Sequence, residues 1–213
     1  MQPFSTHTGI VIPFDRRNVD TDAIVPKQYL KMLEKTGFGA FLFDDERYLD
    51  PGDVETPITE RRPNPDFILN QAPYDKGSIL LARDNFGCGS SREHAVWALA
   101  DFGIRVVIAP SFGEIFYNNC INNGLLPVIL KQASVEELFA CCREHAGFEL
   151  TVDLENQTLV NPAQGEWPFR MEDGHRKALL QGLDEIGLTL ERAEAIRAFE
   201  ANRRAREPWL FTE

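Results

Sequence analysis

Long apolar runs are missing from this 213-residue chain. Nowhere do about 18 uninterrupted apolar residues occur, the length that a membrane-crossing helix requires. The opening stretch MQPFSTHTGIVIPF has no basic segment leading into an apolar one, so no secretory leader is expected and the cytoplasm is the expected location. Positive charge is scarce too: 22 lysines and arginines stand against 33 aspartates and glutamates, a formal net charge of -11. That balance repels a phosphate backbone and no basic run interleaved with aromatics offsets it, which argues against nucleic acid as a partner. The four cysteines, Cys88, Cys120, Cys141 and Cys142, include no pair at the two-residue spacing of zinc ribbons or iron-sulfur loops. His7, His94, His145 and His175 are too scattered for a ligand set read by spacing, so no metal site is expected in this chain. Absent as well are the GKS or GKT ending of a phosphate loop, the third glycine of a dinucleotide fingerprint and the G-x-S-x-G of a nucleophile elbow.

What remains is an ordinary globular composition, 43% hydrophobic and 26% charged, long enough to bury a sizeable core as a single domain over 1–213. GIVIPF (9–14) reads as a first strand, followed by the polar loop DRRNVDTDAIVP. Gly37 and Gly39 interrupt the segment 27–47, which is expected to be a mobile loop, and the proline-rich stretch 51–66 reads as an extended surface connection. SILLA (78–82) and RVVIAP (105–110) flank a helix expected at 91–102, a βαβ unit with parallel strands and a right-handed crossover. A second helix is expected at 111–124, with LLPVIL as a third strand. Ser134 and Glu137 have capping-box spacing and open another helix that stops near Gly147. A hairpin is expected at 149–161, then helical runs at 173–183 and 189–206 in a C-terminal extension over 173–213. The fold class is α/β.

Residues 85–95, NFGCGSSREHA, fall between the end of a parallel strand and its crossover helix, the sheet edge at which α/β proteins bind ligands. Gly87 and Gly89 let backbone approach a ligand closely, Ser90 and Ser91 offer hydroxyls, and Arg92 is a planar fork suited to a carboxylate or phosphate. A helix start there would add unpaired N–H groups and positive dipole character. A structural reading stands beside this one, because Ser90-x-x-Glu93 is also a capping box, as is Ser111 with Glu114. Cys88 beside a helix N-terminus is a candidate reactive thiol or an inert one.

FGCGSSREHA, followed by IAPSFGEIFYNNCINNGLLPV, resembles the small-subunit family of 3-isopropylmalate dehydratases. NVDTDAIVPKQYLK, TGFGAFLF, NPDFILN and GLDEIGLTL resemble it in the same order over nearly the whole chain. The resemblance implies a three-layer β/β/α swivelling domain of aconitase type, carried as a separate polypeptide. It also implies a hydro-lyase of leucine biosynthesis that isomerises 2-isopropylmalate to 3-isopropylmalate by dehydration and rehydration. No cofactor is implied in this chain; a 4Fe-4S cluster is expected in a large-subunit partner, which would make this chain incomplete alone, and the substrate is a small dicarboxylate. Ser90 is then the general base, Ser91 and Arg92 hold a substrate carboxylate, and Asp20, Thr21 and Asp22 form a loop beside them, with an Asx-turn as the alternative for that loop. Gly87, Gly89 and His94 would support the site, His94 by hydrogen bonding or merely by packing. Tyr29 to Met32 would meet the variable part of the substrate, with Lys31 as a charge partner; aconitase has an arginine near here, whereas no arginine lies between Arg17 and Arg47. Two other readings are another dicarboxylate hydro-lyase, homoaconitase-like or of methylmalate/citraconate type, and a non-catalytic anion-binding module.

Overall fold

A computed structural model of the chain describes residues 1–32 and 34–211. Leu33, Thr212 and Glu213 lie outside the described residues, so the expected loop 27–47 and the extension to 213 are described without them. In chain order the elements are β1 (Thr6–Phe14), α1 (Thr21–Ile24), α2 (Asp44–Arg47), β2 (Ile79–Ala82), α3 (His94–Phe102), β3 (Val106–Ala109), α4 (Glu114–Asn123), β4 (Leu126–Ile129), α5 (Gln132–Glu144), β5 (Glu149–Asp153), β6 (Thr158–Asn161), β7 (Gly165–Pro168), α6 (Asp173–Gln181), α7 (Glu185–Leu190) and α8 (Ala193–Arg206). None of the described helices is long and apolar enough to cross a membrane.

All seven strands form one sheet in the order β4-β3-β2-β1-β5-β6-β7, and β1 divides it. Its last four residues, Val11 to Phe14, pair in parallel with Ile79 to Ala82, and β3 and β4 continue that parallel half. Its first five, Thr6 to Ile10, pair antiparallel with β5, from which β6 and β7 extend an antiparallel meander. Parallel neighbours need a crossover, and α3 and α4 supply it between β2, β3 and β4.

Side chains of a strand alternate between faces, and both faces of the parallel half are buried. Ile79, Leu81, Val106 and Ile108 share a core with Val135, Leu138 and Phe139 of α5 and with Leu150, Val152 and Leu159 of the antiparallel strands. Leu80, Ala82, Val107 and Ala109 face the other way, onto Ala95, Val96 and Leu99 of α3. Antiparallel strands, parallel strands and helices thus form the α/β fold, with the β/β/α layering that the family resemblance implies. The segment 27–47 contributes to the second core through Tyr29, Phe38, Leu42 and Phe43, each fully buried.

Three helix starts differ from the sequence expectation. The helix expected at 91 begins at His94, because Ser90 to Arg92 turn back on themselves, with Arg92 N–H donating to the Ser90 carbonyl at 2.8 Å. The Ser90–Glu93 capping box is not formed. The second begins at Glu114 without a side-chain cap; Ser111 Oγ instead accepts the Asn85 N–H at 2.8 Å and ties two loops together. The third begins at Gln132, so Ser134 sits inside its first turn rather than capping it, and it ends at Glu144. The hairpin at 149–161 forms as expected, and the run 189–206 is broken into α7 and α8 at Glu191–Arg192.

Candidate active site

Three loops meet at the C-terminal edge of the parallel strands. Past β1 and β2 the chain stays zipped: Asn18 N–H donates to the Asp84 carbonyl at 3.0 Å, Gly87 N–H to Val19 at 2.7 Å, and Thr21 N–H to Cys88 at 3.0 Å. The loop after β3 joins through Gly113 N–H, which donates to the Phe86 carbonyl at 2.9 Å. Gly87 makes this junction possible. Its φ is +71°, and a Cβ there would lie 2.1 Å from the Phe116 ring, so only glycine fits.

On this frame Asp20, Thr21, Asp22, Gly87, Gly89, Ser90, Ser91 and Arg92 come together. Ser90 and Ser91 are exposed. Thr21 is 1% exposed, and its Oγ1 lies 3.3 Å from both Ser90 Oγ and the Ser90 carbonyl. Arg92 Nη1 is ion-paired with Asp22 Oδ1 across the junction. Asp20 Oδ1 accepts the Ala23 N–H at 2.7 Å and caps α1, which is the Asx-type role; Asp22, inside α1, is the carboxylate that reaches the site. The arrangement offers an exposed hydroxyl with a neighbouring donor and a fixed guanidinium, a suitable receptor for a small carboxylate. Because α3 starts after Arg92 and a helix dipole fades within its first turn, the dipole expected to assist Ser90 is not positioned to do so.

Residues 1–133 match the family model of the aconitase C-terminal domain. Residues 185–213 match the model for the C-terminal domain of the 3-isopropylmalate dehydratase small subunit, and 136–173 the model described as LeuD_N. A 3-isopropylmalate dehydratase small subunit from Marinobacter nauticus is 56% identical over 99% of this chain and 98% of its own length. The chain belongs to the 3-isopropylmalate dehydratase small-subunit family. Small subunits from Methylibium petroleiphilum and Delftia acidovorans are 57% and 55% identical, each over 99% of this chain and 97% of their own. A crystal structure of 3-isopropylmalate dehydratase from Methanocaldococcus jannaschii superposes with a TM-score of 0.61 at 26% identity, over 92% of this chain and 99% of that one. A small subunit implies a large one, and this chain is one part of a hydro-lyase.

Within this small subunit, some expected site residues are placed elsewhere. Tyr29 is fully buried and stacked on Phe41 at 4.0 Å between ring centroids, with its hydroxyl accepting from Arg61 Nη1 at 3.4 Å; it is a core residue and not the expected substrate contact. Lys31, two residues on, is exposed. His94 is the first residue of α3 and packs edge-on against Phe38 at 5.3 Å and beside Trp97 at 4.7 Å. Its Nδ1 is buried without a partner, and burial, assisted by the nearby Arg92 charge, pushes its pKa down, so it is a packing residue. Burial and the Asp20 charge raise the Cys88 thiol, which keeps it protonated and disfavours the reactive-thiol reading. Among the described residues no group of three or more His, Cys, Asp or Glu is placed to hold a metal ion; the residues present do not fit an iron-sulfur cluster. Thr21 is the site residue that motif reading underweighted: only the register between the two loops, set by the Asp20–Cys88 bridge, brings it under Ser90.

Proposed function

We propose that this chain, working in the cytoplasm with a large subunit, interconverts 2-isopropylmalate and 3-isopropylmalate in leucine biosynthesis. Identity of 55–57% along the full length of named small subunits carries this reading, and the grouping of Ser90, Arg92, Asp22 and Thr21 supports it. The reaction removes a proton from the carbon beside the hydroxyl-bearing one and expels the hydroxyl, the two together making up one water, and returns both in the opposite sense. Ser90 Oγ takes the carbon-bound proton as an alkoxide and gives a proton back on rehydration. Arg92 and Ser91 hold a substrate carboxylate, Asp22 fixes one edge of the Arg92 fork, and Lys31 meets the more distant part of the substrate. A 4Fe-4S cluster, assigned to the large subunit, would supply Lewis-acid polarisation of the departing hydroxyl.

An alkoxide is costly. A serine hydroxyl is a weaker acid than tyrosine, near pKa 10, and every tenfold gain in acidity needs about 1.4 kcal/mol. Arg92 and the Thr21 hydroxyl stabilise the anion only if water is kept away. Ser90 is exposed in this chain, so exclusion falls to the large subunit as it shuts over the loop junction. The test is reconstitution with a cluster-loaded large subunit and a set of substituted malates, following the unsaturated intermediate by absorbance. Preferred turnover of 2-isopropylmalate is expected. Preference for citraconate or for citrate-like tricarboxylates would move the chain to another hydro-lyase, and no turnover of any of them would leave a non-catalytic module.

A further inference from the structure

Residues 185–211 of the C-terminal extension are folded but scarcely buried. None of the 14 residues of α8 is buried, although an isolated helix of that length is marginal in water. Large apolar side chains stand out along the extension: Ile186 at 69% exposure, Leu190 at 61%, Phe199 at 65% and Trp209 at 71%. Ile186 and Leu190 are one turn apart on α7, as Ile196 and Phe199 are on α8. Exposed apolar clusters of this kind mark interaction surfaces.

Two further observations say what covers this one. The aconitase-type match ends at residue 133, whereas 185–213 match the model of the small subunit's C-terminal domain, which ties the extension to the two-chain form. Its charge also runs against the rest of the molecule: α8 holds four arginines and two glutamates in a chain of net charge -11. Arg203, Arg204 and Arg206 complement the helix dipole at its C-terminal end, and they put positive charge on the same helix that carries Ile196 and Phe199. Two copies of the chain packed α8 against α8 in parallel would bring those arginines together, a like-charge juxtaposition that disfavours that self-pairing.

We propose that the exposed apolar side chains of this extension, Ile186, Leu190, Phe199 and Trp209, serve as a docking surface for the large subunit, and that they meet an apolar patch rimmed by carboxylates. The inference rests on the small-subunit reading above and adds where the partner is held. None of these side chains belongs to the Ser90 loop junction, so variants at them leave the proposed catalytic groups in place.

The experiment measures association of the full chain with the cluster-loaded large subunit for wild type, the double variant Phe199→Glu/Trp209→Glu, and Arg203→Glu/Arg204→Glu. The large subunit is titrated and kcat is read at saturation. Both variants are expected to keep the melting temperature of the sheet core, to which α8 contributes no buried residue, and the Phe199/Trp209 variant the wild-type circular dichroism spectrum as well; both should weaken association by about tenfold or more, as loss of aromatic or arginine anchors does, and recover wild-type kcat when saturated. Added salt should weaken wild-type association more than that of the arginine variant. Unchanged association in the Phe199/Trp209 variant, or a change confined to self-association of the small subunit, would overturn the proposal. Failure of the Ser90 chemistry would instead appear as lost kcat in a fully assembled wild-type complex, which keeps the two ideas distinguishable.

Discussion

Thr21 Oγ1 and Ser90 Oγ lie 3.3 Å apart although 69 positions separate them in the chain. Thr21 is buried and Ser90 is not, so the threonine hydroxyl is held by its surroundings and can stabilise negative charge on Ser90 by donating to it. Thr21→Val keeps the shape and removes the donor. A neutral hydrogen bond contributes about 0.5–1.5 kcal/mol, so kcat of the assembled enzyme should fall up to about tenfold with KM nearly unchanged; a selective rise in KM would assign Thr21 to substrate binding instead.

Gly87 sets the distance between the Ser90 loop and α4. Gly87→Ala places a methyl group against Phe116 at a positive φ, and overpacking of this kind costs about 1–3 kcal/mol with strain in addition. Chemical denaturation should show that loss together with reduced kcat, because the displaced loop carries Ser90 and Arg92. Full activity in a destabilised variant would uncouple the junction from the site.

Protonation of His94 should destabilise the fold. Burial lowers the pKa of both His94 and His7 below the ordinary 6.5, so the unfolded chain binds protons that the native state refuses, and stability is complete above about pH 6.5 and lost as pH falls. The melting temperature should therefore drop between pH 7 and pH 5, and His94→Leu should reduce the drop while His7 retains its share. An identical pH dependence in that variant would show that His94 does not contribute.

Arg61 and Asp44 form a buried, two-pronged ion pair, their side chains 2% and 1% exposed. Arg61 also donates to the Asp50 carbonyl at 2.8 Å and lies over the Tyr48 ring at 4.1 Å. This cluster fastens the proline-rich connection to the segment around Tyr29. Arg61→Met alone should cost about 3–5 kcal/mol by stranding the Asp44 charge, whereas Arg61→Met with Asp44→Leu should restore most of that loss. Equal destabilisation in the single and double variants, read by denaturant titration, would contradict this account.

The parallel core was legible because its strands are short apolar runs, SILLA and RVVIAP among them, and the hairpin because ELTVDLENQTLVN alternates. The joining of the two halves was not, since the switch of β1 from antiparallel to parallel partners leaves no local pattern. Serine-x-x-glutamate spacing misled at three helix starts because the serine hydroxyls were used otherwise or fell outside the cap, as Ser111 shows. Within the site, the loop of Ser90 and Arg92 could be picked out by its residue types and its place after a parallel strand, whereas the role of Ser90 came only from the family resemblance. Thr21 and the inward turn of Tyr29 depend on how distant loops register and which aromatic finds a stacking partner, and neither is written in a local run of residues.

The most direct test is Ser90→Ala assembled with the cluster-loaded large subunit. Ser90 is exposed and caps no helix, so the variant should match wild type in stability within about 0.5 kcal/mol and in association with its partner. A general base contributes about 10²–10⁴-fold, and kcat on 2-isopropylmalate should fall by that factor. Retention of kcat within a few-fold of wild type would contradict the assignment of the proton transfer to Ser90.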